Sequence, residues 1–444
     1  MIDLVNNLWV LIAGLLVFTM TIAVGLLEVG ELGEAFSFSL LKTVFMTGAA
    51  VLVMAAVGFN TAFAPTLDGV IGNPFYAPGF FLGGFSASSV DPATAAWWSV
   101  ASAPLGLATG TYFLFETAFA AVTFALVGVI FLRKVRLVAI GLYAIAYFVL
   151  IWNLPAAWIW NPSGWLAQLG MVDFAGGLVV HGAAGAAGLG IVLQIWREER
   201  ARGLTVSPAT PVRLHPTWLT FAVLLLWVGW FGFNPGSVLQ FNAEAIAVVL
   251  TTFLAASAGL ASLLVTAYVV DGTRPDTLWS ANGILMGLII ITPLAGYVSP
   301  GSAILLGLFG GPLFLAGEKL FARVTWLSDP IGLFPGHLLG GLFGVTMIAF
   351  FAQSEFAVGS GAASLPNGLL FGGGFAALRQ LGLEEFGSLV VGVTVFLLSF
   401  VTMAVIARAM GGITVGDPAP AQGLAAPPSE SKSGGAALPG ASSP

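Results

Sequence analysis

Long apolar segments recur along the chain, separated by short stretches that contain Gly, Pro, Asn or charged residues. A helix needs roughly 20 mainly apolar residues to cross a hydrocarbon core ~30 Å thick. Eleven segments meet this requirement, at approximately 8–27, 41–63, 107–131, 137–154, 174–195, 216–235, 244–270, 279–297, 299–317, 333–352 and 387–407. The pattern therefore predicts an all-α polytopic membrane protein. No basic stretch precedes the first segment and no small-residue cleavage site follows it, so we expect a retained helix.

The basic residues predict the orientation of these helices, because cytoplasmic loops of membrane proteins are enriched in Lys and Arg. An odd number of spans places the termini on opposite sides. With the N-terminus outside, the outer segments carry only Arg379. The cytoplasmic segments then carry Lys42, Arg133, Lys134, Arg136, Arg197, Arg200, Arg202, Arg213, Arg274, Lys319, Arg323, Arg408 and Lys432. We therefore expect an outer N-terminus, an inner C-terminus and a location in the cytoplasmic (inner) membrane.

The composition also indicates lipid as the main surroundings of the chain. Hydrophobic residues make up 58% and charged residues only 8%, against about 25% charged in soluble domains. Residues 1–410 are expected to form the membrane domain, and residues 411–444, rich in Ala, Pro, Gly and Ser, a disordered cytoplasmic tail. Without a basic face, nucleic acid is not an expected partner. Without Cys or a recognisable nucleophile or cofactor motif, we expect no enzyme activity, cofactor or metal site.

Two of the predicted spans share one spaced pattern, Asp-x7-His-x3-Gly-x2-Gly. The fifth span carries it as Asp173, His181, Gly185 and Gly188, and the tenth as Asp329, His337, Gly341 and Gly344. The two segments lie five spans apart, so they cross the membrane in opposite directions. Such a five-plus-five inverted repeat is typical of transporters that bind their substrate near the midplane.

The spacing predicts that His181 and His337 meet near the centre of the membrane. Eight residues at 1.5 Å per residue place each histidine ~12 Å along its helix from its aspartate, one measured from outside and the other from inside. The glycines four and seven residues later share the histidine's face and allow close helix approach. Because ionisable residues inside a membrane usually mark a pathway, we favour a functional role for both histidines over a structural one.

The other titratable residues near these segments are interpreted structurally. Asp173 and Asp329 each precede a helix and suit a capping role, with Pro330 at the first helical position of the tenth span. The third histidine, His215, precedes a proline at the start of the sixth span. We expect it to be solvated at the membrane interface.

Three motifs occur in the order and spacing of the ammonium transporter/Rh family. They are residues 173–181 (DFAGGLVVH), 230–237 (WFGFNPGS) and 334–337 (FPGH). The chain resembles a bacterial or archaeal member of this family from about residue 5 to residue 410. The resemblance implies an eleven-helix, N-out fold that forms a homotrimer in the lipid bilayer. Each subunit would contain one hydrophobic pore for ammonium or ammonia.

The resemblance further implies roles for individual side chains. The twin pore histidines of the family fall on His181 and His337, and its structural acid beside the pore falls on Asp173. The site that recruits a cation, where aromatic faces meet a hydroxyl, falls on Trp160, Phe119 and Ser237. The stacked phenylalanine gate falls on Phe119 and Phe233.

Several departures from the family pattern modify these expectations. Glu116 replaces the usual Gln of a Phe-Gln-x-x-Phe segment, and a carboxylate at the predicted outer mouth should raise the local cation concentration. Gly332 replaces the aspartate that usually precedes the second histidine, and residues 132–134 (LRK) replace Ala-Glu-Arg. Residues 416–444 lack the usual charged tail, so regulation by the PII signal protein is in doubt.

A dry pore requires the transported species to lose its charge. Burying a bare ion costs tens of kcal/mol in the idealised limit, whereas aromatic faces contribute only roughly 2 kcal/mol. We therefore expect ammonium to be deprotonated near the gate and ammonia to pass two imidazoles, each with one donor and one acceptor. Potassium cannot follow this route. A passive Rh-type channel for ammonia or carbon dioxide and a non-transporting ammonium sensor are the alternatives.

Overall fold

The structure of the protein is a computed structural model. It describes residues 3–33, 36–76, 106–131, 134–203, 214–272, 274 and 276–415. Arg133, Arg213, Lys432 and most of the predicted tail, residues 416–444, lie outside the described residues.

Within the described ranges, eleven helices are long and apolar enough to cross a membrane, which confirms the predicted number. In chain order, spans 1 to 11 are Leu4–Leu32, Phe36–Phe63, Thr109–Phe131, Leu137–Leu169, Gly177–Ala201, Pro216–Gly236, Ala243–Val270, Thr277–Leu294, Pro300–Phe321, Leu333–Phe351 and Gly374–Met410. Span 11 begins at Gly374 rather than near residue 387, because Arg379, Glu384 and Glu385 interrupt the apolar pattern without interrupting the helix.

Short elements accompany the spans. Strand β1 (Thr66–Leu67) pairs antiparallel with β2 (Ile71–Gly72), and the helix Ser354–Gly359 and the 3-10 turn Leu369–Phe371 connect spans 10 and 11. Several spans contain π-helical turns, which are rare in proteins and frequent at functional sites. These turns are Met54–Gly58, Tyr147–Ile151, Ala156–Trp160, Gly177–Gly182 and Leu333–Leu338.

Spans 3 and 5 form the centre of the bundle. In each, 89% of the most apolar window is buried, compared with 28% in span 11. A helix that is apolar on all sides is stable only when other helices or lipid surround it. Span 1 packs against spans 3 and 6, and span 5 packs against span 11. This arrangement places the histidine-bearing start of span 5 deep inside the protein.

A buried ion pair joins spans 1, 2 and 3. Lys42 Nζ lies 2.6 Å from Glu28 Oε1 and donates to the Gly128 carbonyl oxygen at 3.0 Å. Lys42 is 1% exposed. Lys42 therefore lies within the helix of span 2, six residues after Phe36, where Glu28 neutralises its charge, and the side of the membrane that this end of span 2 faces stays a prediction.

Residues 411–415, predicted to begin the disordered tail, are instead held against the ends of spans 3 and 5. Thr414 forms an antiparallel bridge with Val135, and Glu198 accepts hydrogen bonds from the backbone N–H groups of Ile413 and Thr414 at 2.9 and 3.0 Å. The ends of spans 3, 5 and 11 therefore lie at one end of the bundle, as eleven spans require. The side of the membrane that this end faces stays a prediction.

Candidate functional site

Each histidine of the repeated pattern lies in a π-helical turn at the start of its span. His181 belongs to Gly177–Gly182 and His337 to Leu333–Leu338. Gly176 and Gly332 precede these turns with φ values of 107° and 71°, in the left-handed region where glycine is favoured. This backbone requirement explains why a glycine is suitable at position 332.

Asp173 caps the first of these turns with both carboxylate oxygens. Oδ1 accepts from the backbone N–H groups of Gly176 and Gly177 at 3.0 and 2.7 Å, and Oδ2 accepts from those of Leu178 and Val179, both at 2.8 Å. Asp173 therefore satisfies four N–H groups at the start of the turn, although the N-cap residue itself is Gly176. Burial raises the pKa of this carboxyl, and the four N–H groups act in the opposite direction.

Asp329 forms similar hydrogen bonds with the second turn. The prediction that Pro330 is the first helical residue is wrong. The Asp329 oxygens accept from the backbone N–H groups of Leu333 and Phe334, both at 2.8 Å. The helix begins at Leu333 and its N-cap residue is Gly332, so Pro330 is not the first helical residue. The Asp329 carboxylate lies three residues before the N-cap residue Gly332 and bonds to the N–H groups that follow it. An ordinary N-cap residue bonds through its own side chain, so the usual capping pattern does not predict this arrangement.

The two histidine rings meet, as the spacing predicts. Their Nδ1 atoms lie 3.1 Å apart, and the side chains are only 1% and 6% exposed for His181 and His337. A nitrogen-to-nitrogen hydrogen bond requires one ring to carry the Nδ1 hydrogen and the other to accept it. Among the described residues, His181 Nε2 has no hydrogen-bond partner.

The glycines of the pattern permit this contact. A Cβ on Gly341 would overlap the Gly177 carbonyl oxygen and lie 3.1 Å from the Cβ of His181. A Cβ on Gly185 would lie 2.5 Å from the Cβ of Leu338, next to His337. Each histidine-bearing turn therefore packs directly on a glycine of the other segment, so larger residues there would separate the two rings.

Trp160, Phe119 and Ser237 line one cavity of about 360 Å³, which we call the aromatic cavity. The rings of Phe119 and Trp160 meet edge to face with centroids 5.7 Å apart. Trp160 Nε1 donates to the Asp173 carbonyl oxygen at 2.8 Å, and Ser237 Oγ donates to the Phe233 carbonyl oxygen at 2.9 Å. The three residues that the resemblance groups together are therefore neighbours in space.

The ring pair Phe119–Phe233 separates the aromatic cavity from the histidines. The ring centroids lie 4.2 Å apart; Phe119 lines the aromatic cavity, whereas Phe233 lines a second, narrow void. The void measures about 10 Å³ and is bordered by both histidines and by apolar side chains of spans 1, 3, 5, 6 and 8. That is close to the smallest space that holds one water-sized molecule.

Trp230 is a site residue to which the sequence analysis assigned no role. Its ring stacks on His181 with centroids 5.6 Å apart, and Phe233 stacks on the same imidazole at 5.9 Å. Trp230 and Phe233 are three residues apart and therefore share one face of span 6. The indole N–H donates to Thr292 Oγ1 at 3.0 Å, which fixes the ring. The spacing of three residues between Trp230 and Phe233 was the signal in the sequence that could have identified it.

Glu116 lies in the lining of the aromatic cavity, near the position predicted from the family pattern. The residue is 5% exposed and accepts a hydrogen bond from the Tyr112 hydroxyl one turn earlier on span 3. Tyr297 lines the same cavity, and burial raises the pKa of its hydroxyl, which keeps it neutral. The third histidine, His215, is exposed just before span 6 and outside the lining of the aromatic cavity, and its position at the membrane interface stays a prediction.

Comparison with known proteins places this arrangement in a family. A family model described as "Ammonium Transporter Family" matches residues 8–424. The chain is 33% identical over 271 residues to an ammonium transporter of Bacillus subtilis, covering 61% of this chain and 63% of that protein. It is 32% identical over 403 residues to an ammonium transporter of Mycobacterium tuberculosis, covering 87% and 81%.

The fold is also similar to a solved structure. The crystal structure of Candida albicans Mep2 superposes with a TM-score of 0.79 at 23% identity, covering 94% of this chain and 87% of that one. The family consists of membrane transporters, which agrees with the prediction that the chain is not an enzyme. From the family model and the relatives together, the chain belongs to the ammonium transporter family.

Proposed function

We propose that the chain moves ammonium across the cytoplasmic membrane by recruiting the cation, removing its proton and passing ammonia beyond His181 and His337. The observation that carries this proposal is the hydrogen bond between the two Nδ1 atoms, 3.1 Å long and buried behind the Phe119–Phe233 pair. We further propose the homotrimeric assembly and the outer N-terminus that the resemblance implies.

The aromatic cavity suits the recruitment of a small cation. The ring faces of Trp160 and Phe119 present negative charge density to a cation, which contributes about 0.5–2 kcal/mol. Ser237 Oγ uses its hydrogen on the Phe233 carbonyl oxygen, so its lone pairs are directed elsewhere and can accept an ammonium N–H. Together these groups select a cation that has both positive charge and N–H donors.

The narrow passage formed by the Phe119–Phe233 pair and the void requires the ammonium ion to lose its charge. Two phenyl rings in contact leave no room for a hydrated ion, and the void beyond them holds about one small molecule. An unpaired ion inside an apolar medium costs tens of kcal/mol in the idealised limit. Ammonia avoids this cost because it is neutral. Potassium cannot lose its charge, so the same passage excludes it.

The histidine pair suits the passage of ammonia. Two neutral rings that are bonded through Nδ1 leave one Nε2 as a donor and the other as an acceptor. Ammonia is itself a donor and an acceptor, so it can bond to either end of the pair. The protons of the two rings are coupled, and their titration belongs to the pair.

The test uses purified protein in liposomes, with currents and internal pH recorded after an ammonium jump. We expect the wild-type protein to move ammonium and to exclude potassium. The variant His181→Ala/His337→Ala should lose selective conduction while assembling normally, as judged by gel filtration. His215→Ala is the matched control, because it removes an exposed histidine and should conduct like the wild type.

The outcomes separate the alternatives. Ammonium-dependent pH changes without current would favour a passive Rh-type gas channel. Saturable ammonium binding without any flux would favour a sensor. If wild-type liposomes neither bind nor move ammonium, or if the double variant conducts and selects like the wild type, the proposed mechanism is wrong.

A further inference from the structure

Two acidic side chains line the aromatic cavity, and they differ in what their oxygens can still accept. All four lone-pair positions of the Asp173 carboxylate face backbone N–H groups at 2.7–3.0 Å. A proton could bind to Asp173 only by displacing one of these N–H groups. Glu116 is different, because its Oε2 is buried and has no hydrogen-bond partner among the described residues.

The other candidate proton acceptors are less suitable. His181 lies beyond the Phe119–Phe233 pair and lines the narrow void rather than the aromatic cavity. The hydroxyls of Tyr112 and Ser237 are neutral and are poor proton acceptors. Among the described residues that line the cavity, Glu116 is therefore the acid with a carboxylate oxygen that has no hydrogen-bond partner.

We propose that Glu116 accepts the proton that ammonium loses before ammonia passes Phe119, an inference that rests on the proposed transport of ammonium. One N–H bond of ammonium breaks, its electron pair stays on nitrogen, and an O–H bond forms on Oε2. The products are ammonia and a neutral carboxylic acid. Glu116 then releases the proton, to water on the cavity side if transport carries no current or towards His181 if the proton crosses with the ammonia, and this release restores the carboxylate for the next cation.

The proton transfer is favoured because two buried charges cost more free energy than two buried neutral groups. An ammonium ion beside a buried carboxylate is a desolvated ion pair, and its mutual attraction often fails to offset the loss of water. Transfer of one proton converts the two ions into two neutral polar groups. Glu116 and Phe119 are three residues apart on span 3 and so share one face, which places the newly formed ammonia next to the gate.

The experiment measures ammonium transport in liposomes for the wild type, Glu116→Gln and Glu116→Asp. Gln keeps the size of the side chain and an oxygen that Tyr112 can still donate to, and it is the usual residue in the family, so we expect this variant to fold. We expect Glu116→Gln to lower the saturating rate by about tenfold or more, the lower range of general acid–base contributions. Glu116→Asp keeps the acid and should retain more of the rate.

Tetramethylammonium separates proton transfer from simple attraction. It binds to aromatic sites as a cation but has no proton to give, so its inhibition reports only the electrostatic part. Glu385→Gln is the matched control, because Glu385 is exposed on span 11 and lies outside the lining of the aromatic cavity. It should leave the saturating rate unchanged.

A purely electrostatic role for Glu116 predicts a different result. Glu116→Gln would then raise the half-saturating ammonium concentration and weaken inhibition by tetramethylammonium, with an unchanged saturating rate and a smaller effect at high salt. That result, or an equal loss of rate in Glu116→Asp and Glu116→Gln, would overturn the proposal while leaving ammonium transport intact. A wild-type protein that moves no ammonium would overturn both.

Discussion

Replacing Asp173 by Asn tests how strongly one carboxylate holds the turn that carries His181. The carboxylate accepts four backbone N–H groups, two on each oxygen. An amide has one acceptor oxygen, so at least two of these N–H groups lose their partner and face an NH₂ group instead. Hydrogen bonds to charged groups contribute about 1.5–3 kcal/mol each, so the variant should lose roughly 3–6 kcal/mol of stability.

The assay is equilibrium unfolding in mixed detergent micelles, together with ammonium transport by the same preparations. Asp276→Asn is the matched control, because Asp276 caps span 8 through one exposed bond to the Trp279 N–H at 3.0 Å. Asn and Asp are nearly equivalent at such caps, so the control should be unchanged. An Asp173→Asn protein as stable as this control would show that the four bonds do not act as described.

Two further predictions concern close packing and buried charge. Gly341→Ala should displace the two histidine-bearing turns and abolish ammonium transport, whereas Gly392→Ala, where a Cβ meets nothing within 4 Å, should transport normally in the same liposome assay. Lys42→Met removes the ammonium group that Glu28 contacts at 2.6 Å and should cost about 3–5 kcal/mol in detergent unfolding. The double variant Glu28→Gln/Lys42→Met should recover part of that loss, and no recovery would contradict the ion-pair explanation.

The number of spans was predictable because a bilayer demands about 20 apolar residues for each crossing. Helix ends were less predictable, since nothing in hydropathy prevents a helix from continuing beyond the hydrocarbon. The helix of span 4 continues past Pro155 to Trp160, and span 11 begins at Gly374, ahead of the charged residues. A pattern of apolar residues indicates where lipid lies, not where backbone hydrogen bonding stops.

The meeting of His181 and His337 was also predictable, because it follows from spacing and from opposite helix directions. The grouping of Trp160, Phe119 and Ser237 was different. These residues lie on span 4, on span 3 and just after span 6, and they have no common spacing, so only the resemblance to a family grouped them. The π-helical form of the histidine turns, and the bonding of Asp329 across Gly332, depend on local backbone geometry that no periodicity encodes.

The direct hydrogen bond between the two imidazoles makes the pair directional, although both histidines belong to the same sequence pattern. A single hydrogen bridges two like nitrogens, so in the neutral state one ring is a different tautomer from the other. A molecule that enters from one end meets a lone pair first, and one that enters from the other end meets a hydrogen. Moving the bridging hydrogen to the other ring reverses this polarity only when a proton is also added to the free Nε2 of one ring and released from the Nε2 of the other. The pair can therefore change its polarity by passing on one proton, while the heavy atoms and the helices stay in place.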